Sequence, residues 1–443
     1  MNKDILRLAV PSIVSNITVP LLSLVDIAIV GHIGNAVYLA AISVGAMTFN
    51  VMYWVLGFLR MGTSGMTAQA FGANDSAGIN WLFKRSLMFG LLIGVILLAA
   101  FVPIRHAAMY LLQVNDTSKA LVEMYFNVCV IGAPAVLGSF ALNGFLIGMQ
   151  NTKTPMAVAI LQNVINIILS LIFVYVFEMD IAGVALGTML SQWLAFIMLL
   201  LAVRNKYPEH TKFDIRLSIR TKAVADIEFH NNVREYNAER LKTFFSTNRD
   251  IFFRTLCLVS VNLFFTSAGS AQGEIVLAVN TLIMTLFTLF SYVMDGFAFA
   301  GEAMAGRFYG AKDEKSLSLL HNNLFLWGLG VTVFFTAVYF CGGDGFLSLL
   351  TNDETVIAAS HSYTFFALLI PICGVQAFIY DGIFIGLTRT KEMFLSCFIG
   401  AAVFFTLYFI LFPSLGNNAL WIALLSYLLL RGIVLSVFWR YKS

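Results

Sequence analysis

The stretch Asn143-Gly-Phe-Leu-Ile-Gly-Met-Gln-Asn-Thr-Lys153 recurs 238 residues later as Asp381-Gly-Ile-Phe-Ile-Gly-Leu-Thr-Arg-Thr-Lys391. A second stretch, Gly65-Met-Thr-Ala-Gln-Ala-Phe-Gly-Ala-Asn-Asp75, matches Ala303-Met-Ala-Gly-Arg-Phe-Tyr-Gly-Ala-Lys-Asp313 at the same shift. Two independent matches at one shift are not expected by chance. We therefore predict an internal repeat whose two halves share one fold and one orientation.

Long apolar stretches surround these motifs in both halves. The 443 residues are 59% hydrophobic and 12% charged, and the mean hydropathy is +0.84, which excludes an ordinary cytosolic enzyme. The stretches are continuous and lack the in/out alternation of a membrane β-barrel. They cover about residues 8–30, 37–71, 82–104, 120–149, 156–177, 181–203, 250–270, 275–309, 320–341, 360–388, 394–412 and 416–439. We predict an all-α polytopic membrane protein with twelve transmembrane helices in two pseudo-symmetric six-helix lobes.

The distribution of positive charge predicts the orientation. With the amino terminus inside, only Arg105 and Lys119 of the 27 Lys and Arg residues fall in outside loops. Four lie within spans, namely Arg60, Arg254, Arg307 and Arg431. Cytoplasmic loops carry the excess of Lys and Arg, so both termini are expected to be cytoplasmic. The predicted domains are an amino-terminal lobe over 1–203, a cytoplasmic amphipathic linker over 204–249 and a carboxy-terminal lobe over 250–443.

The chain resembles the multidrug and toxic compound extrusion (MATE) transporters, and within them the DinF-like branch, over nearly its full length. The resemblance rests on short motifs in the expected order. These are Val25-Asp-Ile-Ala-Ile-Val-Gly-His-Ile-Gly34, Phe58-Leu-Arg-Met-Gly-Thr-Ser-Gly65, Asn163-Val-Ile-Asn166, Asp295-Gly-Phe-Ala-Phe-Ala-Gly-Glu-Ala-Met304 and Gly382-Ile-Phe-Ile-Gly-Leu-Thr-Arg-Thr-Lys391. The resemblance implies an ion-driven antiporter that exports amphipathic, often cationic compounds. Proton-coupled members often carry a carboxylate where this chain has Ser170, so Asp26 would act without a paired acid.

Asp26 is the main candidate for ion coupling, because a carboxylate within a span must be protonated, paired or in a wet cavity. The alternative is that Asp26 simply reaches interfacial water. In the fifth span, Gln162, Asn166 and Ser170 share a helical face, with Asn163 beside them. These side chains either hydrogen-bond a cycling carboxyl group or pack helices together.

Further charged residues lie within the spans. Arg60 needs an anion or water and is expected either to pair with Asp26 or to reach the interface. In the carboxy-terminal half, Asp295, Glu302 and Asp381 form a possible ion site, for Na⁺ or a second proton relay. Alternatively, Asp381 pairs with nearby cytoplasmic basic residues such as Arg389.

The sequence predicts a transporter and no enzyme, because it contains no nucleotide loop, HExxH, GxSxG or metal-spaced His cluster. We expect no cofactor. H⁺ is the expected coupling ion, with Na⁺ as the alternative, and the protein is expected to be a monomer in a bacterial-type inner membrane. The expected partners are the lipid bilayer and a small amphipathic organic substrate, with no nucleic acid. Phe49, Tyr53 and Trp54 are candidates for the substrate cavity. A Na⁺-coupled exporter and a lipid-linked head-group flippase are the alternative functions.

Overall fold

The computed structural model describes the backbone of residues 1–31, 36–112, 114–211, 227–350 and 353–441. It describes the side chains of the same ranges except 19–31, 36–37, 39–40, 227–237 and 343–350. Within these ranges the regular elements are helices and no strand is present. The prediction of an all-α membrane protein is thereby confirmed.

In the described part of the chain, nine α-helices lie before the charged central segment. They are α1 (Asn2–Gly31), α2 (Ala36–Leu56), α3 (Phe58–Gly72), α4 (Ser76–Ala99), α5 (Phe101–Leu111), α6 (Asp116–Cys129), α7 (Ala133–Gly148), α8 (Lys153–Leu171) and α9 (Asp180–Lys206). A short 3-10 helix, Val130–Gly132, joins α6 to α7, and a π-helix, Ile172–Val176, follows α8.

Seven α-helices are described after the central segment, from residue 227 onward. They are α10 (Ile227–Ser270), α11 (Glu274–Gly310), α12 (Glu314–Leu350), α13 (Glu354–Ser360), α14 (Thr364–Gly386), α15 (Thr390–Leu415) and α16 (Asn417–Arg440). A 3-10 helix, His361–Tyr363, joins α13 to α14.

Eleven segments of the described chain are long and apolar enough to cross a membrane, from Ala41–Gly72 to Asn417–Arg440. They correspond one to one with the eleven predicted spans after the first. The first predicted span, 8–30, falls on α1, whose side chains from residue 19 onward lie outside the described residues.

The described chain forms two compact units. The amino-terminal unit comprises Thr18–Asp250, and the carboxy-terminal unit comprises Met1–Ile17 together with Ile251–Ser443. Sequence alone places all of 1–203 in one lobe, whereas the first half of α1 clusters with the second half of the chain. Side-chain contacts explain this difference. The Asn16 amide donates to the Tyr292 carbonyl at 3.3 Å, and Ile13 lies against the bare backbone of Gly296.

The start of α10 packs within the amino-terminal unit. Phe244 is buried against Trp81 and Phe89, and Arg240 forms an ion pair with Asp75. The predicted linker over 204–249 therefore includes the beginning of a 44-residue helix. Residues 212–226 of that prediction lie outside the described residues.

The two halves repeat the same turns at the predicted shift of 238 residues. Asn74 and Lys312 have left-handed φ angles of 55° and 56°. The next residue caps a helix in each case, because Asp75 accepts from the Gly78 amide at 2.8 Å and Asp313 accepts from the Ser316 amide at 3.0 Å. Hydrogen bonds from Ser316 also lower the pKa of the Asp313 carboxyl.

Close helix packing is repeated as well, and it depends on glycine. In the amino-terminal unit, a methyl group at Gly148 of α7 would lie 2.7 Å from the Ser64 carbonyl oxygen of α3. In the carboxy-terminal unit, a methyl group at Gly386 of α14 would lie 2.5 Å from the Glu302 carbonyl oxygen of α11. Both partners of this contact are shifted by 238 residues, so the internal repeat of the sequence is a repeat of backbone packing.

Replacing either glycine is expected to destabilise the protein. For Gly148→Ala and Gly386→Ala we expect a loss of about 1–3 kcal/mol, because the added Cβ pushes apart two helix backbones. Thermal unfolding in detergent measures this loss. Gly330→Ala in α12 is the control, since no atom lies within 4 Å of its added Cβ. Equal stability of all three variants would contradict the packing argument.

Candidate ion-coupling and substrate sites

The polar face predicted for the fifth span lies on α8 and joins three helices of the amino-terminal unit. The Asn163 amide donates to the Thr18 carbonyl of α1 at 3.0 Å. The Asn166 amide donates to the Thr188 hydroxyl of α9 at 3.1 Å and to the Ser191 hydroxyl at 3.4 Å. The structure therefore brings Asn163 and Asn166 into one network with α1 and α9.

Two acceptor atoms on this face have no hydrogen-bond partner among the described residues. They are the Asn166 Oδ1 and the Ser170 Oγ, and both residues are buried, at 1% and 0% exposure. A buried polar atom without a partner costs free energy unless a proton donor, a water or an ion reaches it. The pair of oxygens is therefore suited to contact a protonated carboxyl group or a cation.

Tight packing surrounds Ser170. A methyl group at Gly187 of α9 would lie 2.6 Å from the Ser170 Oγ and 2.9 Å from its backbone nitrogen. The π-helix Ile172–Val176 begins two residues later, and such segments occur often at functional sites. This packing gives a physical reason for a small hydroxyl at position 170, because a longer carboxylate side chain would press on α9.

The two charged candidates of the amino-terminal unit are placed differently. The side chain of Asp26 lies outside the described residues, although α1 is helical through that position to Gly31. Arg60 is half-buried on α3, and its backbone carbonyl faces Gly144 of α7. The predicted pair between Asp26 and Arg60 stays a prediction.

In the carboxy-terminal unit, Asp381 lies between two arginines that come from other helices. Its Oδ2 atom accepts from the Arg254 guanidinium of α10 and, at 2.5 Å, from the Arg431 guanidinium of α16. The three side chains are at most 10% exposed. Two permanent cations thus share one oxygen of Asp381, and a further cation there would be repelled by both.

The expected alternative partner of Asp381 has other contacts. Arg389 pairs with Glu392 at 3.2 Å and donates to the Phe438 carbonyl at 3.1 Å. Sequence reasoning placed Arg254 and Arg431 within spans but did not connect them to Asp381. The available signal was their charge, because an arginine inside a span requires a nearby anion.

The other acids of the carboxy-terminal half lie on α11. Glu302 is 1% exposed and its backbone carbonyl faces Gly386, whereas Asp295 is half-buried. Both residues take part in polar interactions. Their shared helix is continuous from Glu274 to Gly310, so Asp295 and Glu302 lie two turns apart along one helix.

The three aromatic candidates for the substrate cavity differ in exposure. Phe49 is 6% exposed and stacks on Phe126 of α6 with ring centroids 4.8 Å apart. Tyr53 is half-buried next to Phe49, and Trp54 is 43% exposed. Packing in the core of the amino-terminal unit accounts for Phe49, which favours a structural role for that ring.

A second polar network was not predicted. Asn280 of α11 and Asn417 of α16 exchange two amide hydrogen bonds of 2.9 and 2.8 Å, and the Trp421 indole donates to Asn280. Asn280 and Asn417 are 3% and 5% exposed. Such fully paired amides inside a helix bundle connect helices, which is a common use of Asn within spans.

An internal repeat of spanning helices with buried polar and charged side chains within the spans defines a polytopic membrane transporter. Comparison with known proteins agrees. The sequence profile of the MatE family matches residues 11–172 and 251–410. The chain therefore belongs to the MatE family, the multidrug and toxic compound extrusion transporters, whose members are transporters and not enzymes.

Several relatives resemble the chain over nearly all its length. DNA damage-inducible protein F of Escherichia coli (strain K12) is 33% identical over 445 residues, which cover 99% of this chain and 92% of the relative. The probable multidrug resistance protein NorM of Chromobacterium violaceum is 22% identical over 448 residues, which cover 98% of this chain and 93% of the relative. These similarities confirm the predicted likeness to the DinF-like branch.

Solved structures share the fold. A crystal structure of a MATE protein in the bent conformation has a TM-score of 0.85 at 19% identity, covering 99% of this chain and 95% of that one. The Vibrio cholerae MATE transporter VcmN also has a TM-score of 0.85, at 16% identity, covering 100% and 98% of the two chains.

Removing the charge of Asp381 is expected to destabilise the protein. Asp381→Asn leaves the Arg254 and Arg431 guanidinium groups without their shared carboxylate, and breaking a buried ion pair costs about 3–5 kcal/mol. Thermal unfolding in detergent measures the loss, with Glu314→Gln at the exposed start of α12 as the control. If Asp381→Asn instead kept full stability and lost only ion dependence of transport, Asp381 would be an ion-coupling residue.

Proposed function

We propose that the protein is an H⁺-coupled antiporter that exports amphipathic, often cationic organic compounds by alternating access. Family membership and the multidrug export names of several relatives support an exporter of small organic molecules. In the proposed orientation both termini are cytoplasmic, in an inner membrane of bacterial type. The proposed active form is a monomer.

The buried, unpartnered oxygens of Asn166 and Ser170 are the observation that carries the proposed coupling site. Asn163 links α8 to α1 at Thr18. Ser170 lies seven residues beyond Asn163, about 10 Å along α8, and Asp26 lies eight residues beyond Thr18, about 12 Å along α1. The proposed topology runs both helices in the same direction, so we expect position 26 at the level of Ser170.

At that level, the Asn166 amide oxygen would accept a hydrogen bond from a protonated Asp26, and the Ser170 hydroxyl would donate one to the ionised form. Proton loading from outside would then favour one conformation, and release inside would favour the other. A proton driven inward supplies about 2.3 kcal/mol per 100 mV, which sustains a useful concentration ratio of substrate.

The proposed Na⁺ alternative would use Asp295 and Glu302. Asp381 is less suited to it, because two guanidinium groups already contact its carboxylate. The amino-terminal unit is therefore the proposed site of coupling.

Reconstituted transport tests this proposal. Proteoliposomes with imposed H⁺ or Na⁺ gradients are followed with a fluorescent organic cation, for the native protein, Asp26→Asn and the control Asp116→Asn, an exposed acid on α6. We expect uptake with the H⁺ gradient alone, its loss in Asp26→Asn and its retention in Asp116→Asn.

Uptake driven by Na⁺ and retained in Asp26→Asn would move coupling to Asp295 or Glu302. Failure with both ions would favour a lipid head-group flippase.

Ser170→Ala separates coupling from stability at the same site. Among the described residues the Ser170 Oγ has no hydrogen-bond partner, so its removal is expected to change the free energy of unfolding by less than about 0.5 kcal/mol. We expect a lower H⁺-driven rate with an unchanged melting temperature. A normal rate would show that this hydroxyl does not contact the coupling group, and a large loss of stability would assign it a structural role.

A further inference from the structure

An apolar groove lies at the surface of the carboxy-terminal unit between α10 and α15. Its volume is about 390 Å³. Side chains from both helices line it, namely Phe253, Leu256, Cys257, Ser260, Phe394, Phe398, Ala401, Ala402 and Phe405. Phe253 and Phe398 are 44% and 55% exposed, so the groove opens away from the unit.

A pair of aromatic rings lies near each end of the groove. The rings of Phe253 and Phe394 are 6.0 Å apart at one end, and those of Phe264 and Phe405 are 5.1 Å apart at the other. In each helix the two phenylalanines are eleven residues apart, about 16 Å along the axis. Ser260 and Ala402 lie between these ends and are too small to bridge the helices, so the middle is open.

This length matches one leaflet of a bilayer. Both helices belong to spanning segments, Ala238–Ser270 and Thr390–Leu415, so the groove lies at the depth of the hydrocarbon core. The hydrocarbon core is about 30 Å thick, which gives about 15 Å per leaflet. A groove of that length and depth, lined by apolar side chains, fits an acyl chain.

A positive charge lies at one end. Lys391 is exposed in the first turn of α15, three residues before Phe394 and seven before Phe398. Residues three, four and seven apart share a helical face, so Lys391 precedes the groove on its own face. It lies about 5 Å beyond the Phe253–Phe394 pair, at the level expected for a phosphate head group.

We propose that this groove is a binding site for one anionic phospholipid, with an acyl chain between α10 and α15 and its phosphate beside Lys391. In the proposed orientation, α15 begins on the cytoplasmic side, so the lipid belongs to the inner leaflet. The bound chain would fill the space between two helices of the carboxy-terminal unit. The site does not depend on which ion drives transport.

Native mass spectrometry of the full chain in detergent, with added dioleoyl phosphatidylglycerol or phosphatidylcholine, tests the site. Ala402→Phe fills the groove and is expected to lower phosphatidylglycerol affinity about tenfold, the effect of losing about two buried methylene groups. Lys391→Gln is expected to lower it about fivefold, as for one basic residue at the membrane surface, with no change for phosphatidylcholine.

Matched variants on α12 provide the controls. Ala337→Phe adds a ring at an exposed position of another span, and Lys315→Gln removes an exposed charge near a helix start. We expect both controls to bind phosphatidylglycerol as the native protein does. Equal binding by Ala402→Phe and Ala337→Phe would overturn the proposal. A change of oligomeric state in Ala402→Phe would instead assign the groove to a second copy of the chain, and would overturn it too.

Discussion

The fold depends on direct contact between helix backbones at a pair of equivalent glycines. Gly148 rests on the Ser64 carbonyl and Gly386 on the Glu302 carbonyl, with no room for a side chain at either glycine. Lipid offers no hydrophobic driving force for helix association, so van der Waals contact between closely packed helices has to stabilise it. The contact fixes α3 against α7 and α11 against α14. In the amino-terminal unit α4 and α9 also pack on α7, and in the carboxy-terminal unit α12 and α16 pack on α14.

The repeat constrains backbone packing but leaves side-chain chemistry free. Asn143 and Asp381 occupy equivalent positions in the repeat. Ser64 and Glu302 are also equivalent, and their carbonyls face Gly148 and Gly386. An amide and a hydroxyl in one half thus correspond to two acids in the other. One unit carries an uncharged polar network on α8, and the other carries an ionic cluster around Asp381.

Sequence reasoning found the helices, the repeat and the polar face of α8. Hydropathy, repeated motifs and helical spacing can all be read from the order of the residues. It could not find the partners of Asp381. Arg254 and Arg431 lie 127 and 50 residues away along the chain, and only tertiary packing brings them to one carboxylate. Sequence reasoning also did not group Met1–Ile17 with the second half of the chain. That grouping follows from tertiary contacts of Ile13 and Asn16 with α11.

The contrast between the two clusters bears on where ions exchange. A group that must gain and lose an ion needs partners that tolerate both states, and uncharged amides and hydroxyls can do so. Guanidinium groups cannot, because they remain charged and stabilise only the carboxylate. The amide face of α8 is therefore suited to a cycling site, whereas the Arg254–Asp381–Arg431 cluster is suited to holding α10, α14 and α16 together. In the proposed mechanism the two units have the same backbone packing but different roles. Ions exchange in the amino-terminal unit, and the ionic cluster keeps the carboxy-terminal unit rigid.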